Sequence, residues 1–141
     1  MRTRTVGALT AIALLPIGCG SGTAYHNASR PPAPINVSVN LTDERVLVSP
    51  ARIGAGPIVL LVANESGTSH DLTLTSPGGG AGSCVPASAS SGPINPQGVA
   101  RLPVEVTEGE CVVGVRDAAL RPAHLRVGRR RASAQDALLQ P

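Results

Sequence analysis

Ile35-Asn36-Val37-Ser38-Val39-Asn40-Leu41 sets Val37, Val39 and Leu41 on one side of the chain and Asn36, Ser38 and Asn40 on the other. A period of two marks a strand with one buried face, because successive side chains of extended backbone point opposite ways. The same reading extends outward from this stretch. A turn at Thr42, Asp43 and Glu44 leads to a short strand at 46–48, which Pro50 stops. Gly54-Ala55-Gly56-Pro57 turns the chain. Residues 58–63 form a continuous apolar run, which predicts a central strand covered on both faces. Residues 71–75 alternate again through Leu72 and Leu74.

The second half repeats the pattern. Residues 81–97 are rich in Ser, Gly and Pro, which predicts a long irregular loop. Leu102, Val104 and Val106 alternate with polar residues, and Pro103 points to an edge because it has no N–H for a neighbouring strand. Cys111, Val113 and Val115 share one face of the next strand, and 124–127 supply a last one. About seven strands at this spacing predict an all-β Greek-key sandwich over residues 35–128.

Composition agrees. The chain has 141 residues with 16 Gly and 13 Pro, which suits one domain of short strands and many turns. With one Tyr, no Phe and no Trp, the core must be aliphatic and no side chains are available to stack on bases. The net charge is +3, but Arg2 and Arg4 lie near the amino terminus and Arg129, Arg130 and Arg131 sit together near the other end. Little basic field is left for the domain, so nucleic acid is not an expected partner.

Arg2 and Arg4 precede an apolar run at 6–17, shorter than the roughly 20 residues a spanning helix needs, and this reads as a signal peptide at 1–18. Leu14-Leu15-Pro16-Ile17-Gly18-Cys19 resembles a bacterial lipobox, although Pro16 stands where that motif usually has Leu. The resemblance implies that Cys19 is lipidated with acyl chains such as palmitate. The domain would then sit on the extracytoplasmic face of the cell membrane; an ordinary signal cleaved without lipidation would leave it secreted. Residues 19–34 read as a flexible tether and 129–141 as a basic disordered tail. With Cys19 lipidated, Cys84 and Cys111 remain as an even pair in an oxidising compartment, and a disulfide is expected. The alternative is a redox thiol or a metal ligand, which no Cys-x-x-Cys spacing supports.

Residues 46–74 resemble the first half of a cupredoxin-like domain: a short strand, Pro50, a Gly-rich turn, a buried strand ending at Asn64, then His70 opening the next strand. In copper-binding members the histidine at this place is the first ligand, so the resemblance puts His70 there. The rest of the blue-copper set is Cys, His and usually Met in one loop. Here Gly114 stands at the approximate place of the cysteine, Cys111 comes three residues early, 115–121 contain no His, and the only methionine is Met1.

Other constellations are weaker. Ser69-His70-Asp71 has triad residue types, but neighbours on one strand do not converge. Asn-x-Ser/Thr sequons begin at Asn27, Asn36, Asn40 and Asn64, and chance explains them in a chain with a bacterial-type signal. The expectation is a non-enzymatic envelope lipoprotein, without cofactor, whose sandwich is a binding or structural module for an envelope protein partner. The reading from a different class is a periplasmic or surface metal-handling protein, with His70, His124 and Asp71 or Asp117 holding copper or zinc.

Overall fold

A computed structural model describes residues 30–78, 82–116 and 120–134. The stretch read as a signal peptide, Cys19, most of the stretch read as a tether, Asp117 and residues 135–141 lie outside them. The described chain is all-β, with eight strands: β1 (Ile35–Leu41), β2 (Val46–Ser49), β3 (Arg52–Asn64), β4 (His70–Thr75), β5 (Ala89–Ile94), β6 (Val99–Val106), β7 (Gly109–Val115) and β8 (Ala123–Arg130).

The strands form two sheets that share β3. One runs β2-β1-β3-β6, with β1 and β3 parallel and β6 antiparallel to β3. The other runs β3-β8-β7-β4-β5, in which the start of β3 lies parallel to β8. The alternation read from the sequence becomes the interior: Val37, Val39, Leu41, Ile58, Leu60, Val62 and Val106 from the first sheet, Leu72, Leu74, Cys111, Val113, Leu125 and Val127 from the second. Each fully buried aliphatic side chain stabilises by about 1.5–3 kcal/mol relative to exposure, so a core without aromatic rings is held by many equal contributions.

Three expectations need correcting. An eighth strand, β5, lies within the segment read as irregular. Its sequence Ala-Ser-Ser-Gly-Pro-Ile buries only Ile94, and Gly92 at φ 73° and a shift of register against β4 break the alternation. Secondly, β3 is central, as expected, but from Pro57 onward only Ile58, Leu60, Val62 and Asn64 are buried; Val59, Leu61 and Ala63 are half-buried on the outer face. Thirdly, the Gly-rich turn lies inside β3, where the strand passes from the second sheet to the first across a register shift at Gly54 and Ala55. Pro103 lies on β6, which pairs with β3 alone among the described strands.

That corner recruits residues assigned from sequence to the carboxy-terminal tail. β8 continues to Arg130, and the backbone N–H of Arg131 donates to Ala55 O at 3.0 Å. The Arg131 guanidinium spans the bend: Nε donates to Gly54 O at 3.2 Å, Nη1 to Ala33 O at 2.8 Å and Nη2 to Pro57 O. A methyl group on Gly54 would come within 2.6 Å of Arg131 Cγ. Gly56 has φ 130°, and a Cβ there would lie 2.8 Å from Pro32, itself buried. Both glycines are required by close approach as well as by the bend. Arg131→Ala is expected to cost about 2 kcal/mol in denaturant unfolding, and Arg131→Lys to recover less than half, because an ammonium lacks the planar fork that reaches three carbonyls.

Candidate functional site

The resemblance directs attention to the end of the sandwich where β3 passes to β4 and β7 to β8. The β3–β4 loop is built around Asn64, which is 1% exposed. Its Nδ2 donates to Thr68 O and to Ile94 O, both at 2.8 Å, and its Oδ1 accepts from the Ser66 backbone N–H at 3.0 Å and the Ser66 hydroxyl at 2.6 Å. Buried and fully bonded, Asn64 is a structural staple, and its sequon is inaccessible in the folded chain. The loop it shapes delivers His70, whose Nε2 lies 3.1 Å from Thr68 Oγ1.

Alternation along β4 puts His70 on the side of Leu72 and Leu74, and Asp71 on the opposite side. Asp71 Oδ2 accepts from Arg116 Nε at 2.9 Å and Oδ1 from the Ser90 hydroxyl at 2.6 Å. The Ser90 hydrogen bond, then the Arg116 guanidinium, hold the Asp71 carboxyl below the usual carboxylate range. A folded-state pKa below the unfolded one contributes stability that is full above the unfolded value and is lost as pH falls through the folded one. Wild-type unfolding free energy should therefore decline in acid below the ordinary Asp titration, and Asp71→Asn should flatten that decline. The effect is small, because Arg116 is more than half exposed.

His124 lies elsewhere. It pairs with Val112 across β7–β8, and Val112 pairs with Thr75, five residues along β4 from His70. Two strand spacings and five residue rises separate the histidines by about 20 Å. They also occupy opposite faces of the sheet, since His124 is exposed beside the buried Leu125, and His124 Nδ1 meets Glu110 Oε1 at 2.9 Å. The structure thus does not bring His70 and His124 together. Among the described residues no group of three His, Cys, Asp or Glu side chains is placed to hold a metal ion. Ser69, His70 and Asp71 do not converge either.

Cys84 and Cys111 form a disulfide with Cα atoms 5.5 Å apart, and both residues are 0% exposed. Gly114 pairs with Thr73, and a Cβ on it would meet Pro122 and Thr73 Oγ1, on the face away from Leu72. Val115, paired with Leu72, lies on the same side of the sheet as His70.

A second feature was not anticipated: the outer face of the first sheet. Register aligns Leu47, Asn40, Ala63 and Val99 in one row across β2-β1-β3-β6, and Ser49, Ser38, Leu61 and Arg101 in the next. Val99 is 81% and Leu47 43% exposed. Between them lies an open groove of about 740 Å³ lined by Val39, Leu61, Val62, Ala63, Val99 and Ala100 with Ser38, Asn40 and Arg101. Asn40 Oδ1 is buried there without a hydrogen-bond partner among the described residues. The sequence signal was the unbroken apolar run of β3, which read as cover on both faces.

No family model matches the chain, and no curated protein matches it. Among solved structures it is similar to auracyanin A, a "blue" copper protein from the green thermophilic photosynthetic bacterium Chloroflexus aurantiacus, at 11% identity and a TM-score of 0.49, over 68% of this chain and 100% of that one.

Proposed function

We propose that the chain is a lipid-anchored envelope protein whose cupredoxin-like sandwich serves as a non-enzymatic binding or structural module. The observation that carries this reading is the fate of Cys111: the thiol nearest the position of a copper-ligating cysteine is spent in a buried disulfide. A thiolate is what makes a blue-copper centre, and a sulfur in a disulfide does not supply one. The polar residues at the loop end serve the fold instead: Asn64 shapes the β3–β4 loop, and Asp71 and Arg116 pair with each other.

The anchoring half of the reading rests on the lipobox-like stretch before Cys19 and on the way the chain arrives at the domain. Pro32 is buried at the β3 corner and Ala33 is bonded to Arg131, so a tether from Cys19 meets the sandwich at the end opposite His70. Such an arrangement holds the loop end away from a membrane. Membrane fractionation with intact-mass analysis of the mature protein tests it: an amino-terminal Cys19 carrying acyl chains is expected, lost from the membrane fraction in Cys19→Ala. A mature protein starting elsewhere, or without acyl mass, contradicts it.

A further inference from the structure

The outer face of the β2-β1-β3-β6 sheet carries a hollow and a ridge on the same surface. Isolated exposed aliphatic residues are ordinary on a protein, but a contiguous apolar patch marks a contact. The hollow lies over Ser38, Leu61 and Ala63, with the exposed Val99 beside it. Two rows nearer the start of β3 the side chains are proline rings. Pro57 is half-buried on β3, and the exposed Pro34 stands next to it, directly before Ile35, which pairs with Ile58. Asn36, Val59 and Pro103 make the row between ridge and hollow.

Charge follows the same spacing. On β6, Arg101 and Glu105 lie two residues to either side of Pro103, each about 7 Å from it on the outer face. Arg101 is exposed and makes no ion pair or side-chain hydrogen bond among the described residues. Glu105 is half-exposed, and its contact with Arg130 is a long one at 3.4 Å. A cation and an anion set evenly about one residue are matched by a two-fold axis through that residue, because residue i of one copy then meets residue j of the other and j meets i.

Consider such an axis between two facing sheets, running across the strands at the level of Val59 and Pro103. It lays β6 over β6 of the second copy in the opposite direction. Arg101 then stands over Glu105 of the second copy, twice in the pair. The same operation brings the Pro34 and Pro57 ridge of one copy over the Ser38 and Leu61 floor of the other. Charge and shape select the same occupant. The face measures about 14 Å across three strand spacings and about 20 Å along the strands from Pro57 to Ala63. Two such faces bury on the order of 1,000 Å², the low end for a specific interface, so the association is weak and concentration-dependent.

We propose that the outer face of the β2-β1-β3-β6 sheet is a homodimer interface, in which Arg101 pairs with Glu105 of a second copy about a two-fold axis at Val59 and Pro103. The strands of the two copies run antiparallel, so their amino-terminal segments enter at opposite ends of the pair. This inference goes beyond the anchor and copper readings and depends on neither.

Sedimentation equilibrium of the Cys19→Ala chain tests it, since that variant has no anchor cysteine and no thiol outside the Cys84–Cys111 bridge. A monomer–dimer equilibrium with a Kd of roughly 1 to 100 μM is expected. Arg101→Glu and Glu105→Arg should each weaken it about ten-fold or more, because each sets like charges face to face. The double variant should recover most of that loss, and Val59→Asp should abolish the dimer. A chain that stays monomeric at several hundred micromolar overturns the proposal. So does a dimer indifferent to Arg101→Glu, which places the contact elsewhere, and so does a double variant that associates no more tightly than the single ones. The exposed charge variants decide the question even where Val59→Asp disturbs the sandwich. None of these outcomes bears on acylation of Cys19, which is read separately by mass.

Discussion

Replacing Cys84 and Cys111 together by Ala should lower the unfolding free energy by about 3–4 kcal/mol, the chain-entropy value for a cross-link of this span. The bridge closes a separation of 27 residues. It also fixes the irregular approach to β5, where Thr107 N–H donates to Cys84 O and Ser83 bridges to Glu110 on β7. Both sulfurs are packed in the core, so the alanines add a cavity cost, and the loss should fall at or above this range. Reducing the native protein separates the two contributions, because it opens the bridge without removing sulfur. A loss below about 1 kcal/mol in urea unfolding of both reduced protein and variant contradicts the structural weight given to the bridge. In a domain with no Tyr, Phe or Trp, that weight is the compensation expected for a small aliphatic core.

Asn64→Ala should cost about 3 kcal/mol or more. The side chain makes four hydrogen bonds in a site closed to solvent, and its loss leaves Ile94 O, the Ser66 N–H and the Ser66 hydroxyl without this partner. A buried polar group deprived of its partner costs about 1–3 kcal/mol, and several are deprived here at once. Asn64→Asp keeps the shape but turns a carboxylate oxygen toward the carbonyls of Thr68 and Ile94, so it should be at least as damaging at neutral pH. Ser66→Ala removes one hydroxyl and should cost nearer 1 kcal/mol. Chemical denaturation of the three variants checks the order. If Asn64→Ala falls within a few tenths of a kcal/mol of wild type, the loop is not built on this side chain.

The strands with strict alternation were legible because their period forces one face inward: Val37, Val39 and Leu41, or Leu72 and Leu74, could be assigned to the core from spacing alone. β5 was not legible, because its backbone pairs with β4 while its side chains bury almost nothing. Arg131 was read as tail because nothing local marks a guanidinium whose partners, Ala33, Gly54 and Pro57, are 74 to 98 residues distant. At the candidate site, His70 opens β4 directly after the loop that Asn64 shapes. Its distance from His124 depends on the register of three strands, which one strand's pattern does not encode. The outer groove illustrates a further limit: a run such as Ile58-Val59-Leu60-Leu61-Val62 states that both faces are apolar, not what lies against each.

The central claim is that Cys111, held in a buried disulfide, has no thiolate to give to copper. Titration of the purified, oxidised protein with Cu(II), followed by visible absorbance, tests it most directly. The account predicts no sulfur-to-copper charge-transfer band, and the same spectrum for wild type and His70→Ala. An intense visible band at one copper per chain, abolished by Cys111→Ala or by His70→Ala, would contradict it.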